Sequence, residues 1–266
     1  MTKIAIVVFD IDGVVRDVGG SYRRAIADTV EHFTNTAYRP TSEELDQLKS
    51  EGVWNNDWQA SQELIYRYFE SQGQQQSQIE LNYDNLVDFF QSRYRGANPD
   101  NWDGYITIEP LLLQVKYLEQ LSASKIGWGF FSGAPRDEAE YILKKRLGLE
   151  NPVLIAMEDA PGKPDPTGLF ATVNQLEEGR EADGLKPVIY VGDTVADMYT
   201  VEKAKAIQPQ RLWIGVGVLP PHVQSTSERK NAYSVKLKEA GAAIVLSNVQ
   251  QLTPTQIQDL VYSKSK

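Results

Sequence analysis

The chain contains no cysteine, which excludes disulfides, thiolate catalysis and any cysteine-bound zinc or iron–sulfur centre. Histidine is almost as scarce. His32 and His222 are the only two, too few for histidine-rich metal chemistry. Positive charge is also in short supply: 27 Lys and Arg face 36 Asp and Glu, a formal charge of -9. That balance argues against a general nucleic-acid binder, which needs a basic face to release counterions. No apolar run reaches the roughly 18 residues a membrane-spanning helix requires. The apolar start, Met1 to Phe9, is short for a signal peptide and meets Asp10 at once. These absences lead us to expect a soluble, cytoplasmic protein with no nucleic-acid or membrane partner.

What is present is a set of continuous β-branched and aromatic runs. Ile4–Phe9, Ile126–Phe131, Val153–Ala156, Val188–Val191, Leu212–Val216 and Ala243–Leu246 each suit a strand buried on both faces, as in a parallel sheet. Helical spacing lies between several of them, at Leu111–Leu121, Glu138–Leu147 and Leu169–Leu176. The alternation predicts an α/β fold with a mainly parallel, Rossmann-like sheet. The stretch from Asp17 to Thr107 is different. It has no buried-strand run, and it shows helical spacing at Ala25–Phe33, Glu43–Lys49, Trp58–Phe69 and Leu81–Tyr94. It reads as an inserted, all-helical cap domain over 17–107, between core segments 1–16 and 108–266. Ser71–Gln78 reads as a loop between two of its helices.

Four segments carry chemistry. Asp10-Ile11-Asp12-Gly13 follows the first strand and sends two carboxylates to one site, with Gly13 permitting a sharp turn. Gly192-Asp193-Thr194-Val195-Ala196-Asp197 follows a later strand and puts two acids four residues apart. A helix N-terminus favoured by acids would account for one acid, but two acidic strand ends in one sheet are harder to explain that way. Phe131-Ser132-Gly133 offers a hydroxyl and main-chain N–H groups that could cradle a phosphate, or simply cap a helix. Pro161-Gly162-Lys163-Pro164 fixes a loop around one lysine.

In this order (DxD, Ser, Lys, GD-x3-D) the four motifs resemble the haloacid dehalogenase superfamily. The similarity is to its subfamily with a helical cap between the first and second motifs, the phosphoglycolate phosphatase-like hydrolases. The resemblance spans Ile4 to about Val249. It implies an Mg²⁺-dependent phosphomonoesterase acting on a small phosphorylated metabolite, as a monomer or homodimer. Asp10 would be the nucleophile that forms an aspartyl-phosphate. Asp12 would be the acid that protonates the leaving oxygen and then the base that activates water. Ser132 and the Gly133 N–H would bind a phosphoryl oxygen, and Lys163 would neutralise nucleophile and phosphoryl group together. The metal would take Asp10, the main-chain carbonyl of Asp12, Asp193, and Asp197 as a further ligand or outer-shell partner. Gly133 is a departure, because the family often carries Asn after the second-motif hydroxyl.

Substrate contacts are expected from Arg16 just after the first motif, since guanidinium suits planar anions. They are also expected from Asn55 and Asn56, in a loop framed by Trp54 and Trp58. A solvated Arg16 and a helix N-cap at Asn56 are the alternatives. Two other functions stay open. One is phosphoryl transfer within a sugar phosphate, as in β-phosphoglucomutases, and the other is a non-catalytic binding protein on the same fold. Phosphonate cleavage would need a Schiff-base lysine, for which the cap offers only Lys49.

Overall fold

The computed structural model describes residues 3–51, 53–54, 56–98, 100–177 and 184–264. The chain divides into two compact units, Met1–Asp17 with Leu111–Lys266, and Val18–Pro110.

The first unit is built on six parallel strands: β1 (Ala5–Phe9), β2 (Ile126–Phe131), β3 (Leu154–Ile155), β4 (Val188–Gly192), β5 (Trp213–Val218) and β6 (Ala242–Leu246), in the order β3-β2-β1-β4-β5-β6. Every residue of β1, β4 and β5 is buried, which is why these strands read as unbroken apolar runs rather than alternating ones. Helices α5 (Val115–Ala123), α6 (Arg136–Glu140), α7 (Thr167–Glu177), α8 (Val195–Ile207), α9 (Ser227–Glu239) and α10 (Pro254–Lys264) complete this unit. Their apolar faces bury against the sheet. Leu169 and Val173 of α7, for example, pack in one cluster with Ile6, Val8 and Phe131.

Two helices depart from the spacing. The helix expected over Leu111–Leu121 begins only at Val115, because Leu111 pairs main chain to main chain with Arg16 and the N–H of Leu112 donates to Val15 O (2.8 Å). The same pairing keeps Asp17 and Leu111 with the sheet, so the unit boundaries fall at 17/18 and 110/111 rather than 16/17 and 107/108. The helix expected over Glu138–Leu147 starts at Arg136 and widens to a π-helix over Tyr141–Arg146.

The second unit carries α1 (Tyr22–Phe33), α2 (Ser42–Ser50), α3 (Asp57–Ser71) and α4 (Tyr83–Tyr94), with no strand among its described residues. Side chains cap three of these helices: Thr41 in a reciprocal box with Glu44, Asn56 onto Trp58 N and Gln59 N, and Asn82 onto Asn85 N. Tyr22 stacks on Tyr94 with centroids 4.1 Å apart, joining α1 to α4. His32 stacks on Phe89 in the same interface, a packing role.

Candidate active site

Strand order places the site. β1 lies between β2 and β4, so the chain leaves β1 in one direction across the sheet and returns in the other. At such a switch point the loops after neighbouring strands part, and a ligand can sit at the carboxyl ends. Asp10 follows β1, Ser132 follows β2 and Asp193 follows β4, with Phe9 in register with Phe130 and Val191. Lys163 comes from the loop between β3 and α7.

Lys163 is the hub. Its Nζ lies 2.7 Å from Asp10 Oδ2 and 2.7 Å from Asp197 Oδ1, and its side chain is only 11% exposed. The ring faces of Phe131 and Tyr190 lie 5.3 and 5.4 Å from the same ammonium. Burial works against the charge on Lys163, but Asp10 and Asp197 outweigh it and hold its pKa above the ordinary lysine value. Asp10 is pinned further by the N–H of Ile11, which donates to Oδ1 (2.7 Å). Burial pushes Asp10 up to about 7 against the pull of Lys163, with Asp197 and Asp12 adding to the rise. Burial, then the charges of Asp197 and Asp10, hold Asp193 well above the carboxylate range.

Asp197 is fully buried, and protein donors surround it. Oδ1 accepts from Lys163 and from the Tyr190 hydroxyl (3.0 Å), and Oδ2 accepts from the N–H (2.9 Å) and hydroxyl (2.7 Å) of Thr194. Burial opposes its charge, but Lys163 and Thr194 keep its pKa below the ordinary value. Thr194 and Asp197 form the capping box of α8, so one acid of the GD-x3-D segment does close a helix N-terminus.

Among the described residues, Asp10, Asp193 and Asp197 each offer a carboxylate oxygen within 4.8 Å of the others, the one such acidic group. Gly13 makes this approach possible. It has φ 71°, and a Cβ there would stand 2.1 Å from Asp193 Oδ2. Burial and the crowding of these carboxylates raise Asp10 and Asp193 above the ordinary acid value, so a positive charge among them would be stabilising. A hard divalent cation with oxygen ligands suits that need.

The sequence profile of the haloacid dehalogenase-like hydrolases matches residues 4–205. The chain belongs to that family. It is therefore an enzyme of the hydrolase class. A curated relative, imidazoleglycerol-phosphate dehydratase of Phytophthora nicotianae, is 30% identical over 252 residues, covering 92% of this chain and 51% of the relative. This chain thus spans about half the length of that protein. Two solved structures share the fold. One, described as a beta-phosphoglucomutase from Thermotoga maritima, is 18% identical with a TM-score of 0.58, covering 97% of this chain and 99% of the other. The other, CbbY from Rhodobacter sphaeroides in complex with phosphate, is 14% identical with a TM-score of 0.59, covering 94% and 96%.

The remaining expected residues of this haloacid dehalogenase-like chain fall in different places. Ser132 is buried at the end of β2, its hydroxyl accepting from Ala134 N (3.1 Å) and so keeping its own proton to donate. Gly133 is exposed, with open space where a side chain would be. Asn55 lies outside the described residues. Asn56, expected against the substrate, instead spends its side-chain oxygen on the first turn of α3, accepting from Trp58 N and Gln59 N (2.9 and 3.0 Å). Arg16 also needs correction as a substrate contact: it is fully buried, and its Nε donates to Asp12 Oδ1 at 2.6 Å. Glu158 and Asp159 tie the Ser132 loop to the lysine loop. The N–H of Arg136 donates to Glu158 (3.0 Å), and its guanidinium pairs with Asp159. Tyr190, which holds Asp197, had no signal beyond its place in a buried strand.

Proposed function

We propose that this hydrolase is a phosphomonoesterase of small phosphorylated metabolites, working through an aspartyl-phosphate on Asp10. The observation that carries the reading is the ammonium of Lys163 held between Asp10 and Asp197, with Asp12 two residues beyond the nucleophile at the switch point of the sheet. A carboxylate attacking a phosphate dianion meets like-charge repulsion, and a buried cation beside the nucleophile relieves it. A protein of the same fold has been solved in complex with phosphate, which favours a phosphorylated substrate.

In the first step an Asp10 oxygen bonds to phosphorus and the ester P–O bond breaks, while Asp12 gives its proton to the departing oxygen. In the second step Asp12 takes a proton from water, the water oxygen bonds to phosphorus, and the bond to Asp10 breaks. Lys163 neutralises the phosphoryl oxygens throughout, and Ser132 donates to one of them. Asp10, Asp193 and the main-chain carbonyl of Asp12 would hold Mg²⁺, whose positive charge, when it is bound, neutralises developing negative charge at the phosphoryl group. Asp197, with its oxygens already engaged, anchors Lys163 instead. The helical unit would serve as the cap that selects the substrate.

Phosphate release from 4-nitrophenyl phosphate tests the reading. The expected result is release that needs Mg²⁺, is lost in EDTA and is abolished in Asp10→Asn. A panel of small phosphates follows: phosphoglycolate, sugar phosphates, amino-alcohol phosphates, and the imidazoleglycerol phosphate of the relative's name. Silence across the panel would overturn hydrolysis. Isomerisation of a sugar phosphate that depends on a bisphosphate activator would identify a mutase.

A further inference from the structure

Residues 11–16 form one wide turn. The N–H groups of Val14, Val15 and Arg16 all donate to Ile11 O (3.3, 2.7 and 3.2 Å), and the N–H of Gly13 donates to Arg16 O (2.9 Å). The left-handed backbone at Gly13 closes the turn and sets residues 12 and 16 side by side. Main-chain pairing of Arg16 with Leu111 fixes its far side. The outcome is a guanidinium that is 0% exposed with its Nε on Asp12 Oδ1 at 2.6 Å, whereas the Asp12 side chain keeps 31% exposure. Among the described residues no side chain donates to Asp12 Oδ2.

We propose that Arg16 is a positioning residue for the reaction: it clamps Oδ1 of Asp12 so that Oδ2 alone faces the leaving oxygen. The inference rests on the phosphomonoesterase reading and adds a residue to it. Three features support it. An arginine keeps its charge at any pH the protein survives, so the clamp is permanent. A guanidinium this deep needs an acceptor, and Asp12 supplies one. The partner it holds is the group whose orientation decides proton delivery, because a general acid must meet the leaving oxygen at hydrogen-bond distance.

The test compares two esters by kcat/KM, which covers events up to transfer of phosphorus to Asp10. An alkyl phosphate expels a basic alkoxide and needs the proton. 4-Nitrophenyl phosphate expels a stable phenolate and scarcely needs it. In Arg16→Met, kcat/KM for the alkyl ester should fall about 10²-fold, the lower end of a general-acid contribution. For the nitrophenyl ester the fall should stay within about 5-fold, by the same reasoning. Asp12→Asn should show the same split, and adding Arg16→Met to it should change little further. Inhibition by inorganic phosphate should be unchanged. Arg16→Lys and Arg16→Gln, which keep a donor, should recover part of the alkyl activity, and they carry the comparison if Arg16→Met does not fold. Equal losses on both esters, or weaker inhibition by phosphate, would make Arg16 a structural or substrate-contact residue and overturn the clamp. The phosphatase reading would stand in that case, since it falls only if the wild type releases no phosphate or Asp10→Asn still does.

Discussion

Replacing Lys163 by Met removes a cation that touches both Asp10 and Asp197 and leaves the volume nearly unchanged. Both ion pairs are 2.7 Å long, with 9% and 0% exposure at the two carboxylates. Deleting one partner of a buried pair costs about 3–5 kcal/mol, because the remaining charge cannot return to water. That full cost should appear at pH 8 in EDTA, where Asp10 and Asp197 are both ionised. At pH 5.5 it should be smaller. Asp10, raised to about 7, is protonated there in the native wild type, so only the pair with Asp197 is left to break. The sign is that of a raised acid: its native form binds protons more tightly than the unfolded chain, so stability from this source is present at low pH and lost as pH rises through about 7. The cost at pH 5.5 should therefore be about half that at pH 8. Urea unfolding followed by tryptophan fluorescence measures both values, and the thermal midpoint at pH 8 should drop by roughly 6–20 °C. A loss below about 1 kcal/mol at pH 8 would show that the carboxylates are not held by Lys163. A loss equal at the two pH values would refute the charge argument itself.

Gly13→Ala forces a Cβ to within 2.1 Å of Asp193 Oδ2 at a φ of 71°. We expect about 1–2 kcal/mol of destabilisation from the backbone alone and loss of the thermal upshift on adding Mg²⁺, and an unchanged upshift would contradict the metal placement. Because Asp10 and Asp193 hold their protons more tightly than free carboxylates, cation binding must displace them, so Mg²⁺ affinity should weaken as pH falls below about 7. Calorimetry in two buffers of different ionisation enthalpy at pH 6.5 should report proton release, and an affinity flat from pH 6 to 8 would count against it. Tyr117 is buried and its hydroxyl donates to Leu252 O at 2.8 Å, a main-chain acceptor outside the four motifs. Tyr117→Phe should cost about 1–2 kcal/mol in urea unfolding and leave phosphate release intact, and the reverse pattern would show that we have misplaced the site.

The strands and the four motifs were legible in the sequence for one physical reason. A strand covered on both faces has no polar side to alternate with, so Ala5–Phe9 and Val188–Gly192 announce themselves as continuous apolar runs, and the acids that break those runs mark the strand ends. Chain order then sufficed to recognise the family. What each polar side chain does after that depends on which donors reach it, and those come from residues remote in sequence or from turns that spacing does not encode. Asp193 and Asp197 look alike on the page. Only packing shows Asp193 set against Gly13, while Thr194, Tyr190 and Lys163 take up the oxygens of Asp197. Asn56 could serve a ligand or a helix, and the local geometry of α3 decided for the helix. Arg16 followed the same rule, since a wide turn over residues 11–16 carried it out of solvent and onto Asp12. The sequence by itself determined the strands, the motif order and the chemical kinds of group available. The tertiary structure alone decided which of them pair, because burial makes every unpaired charge costly and only the folded contacts say where a partner stands.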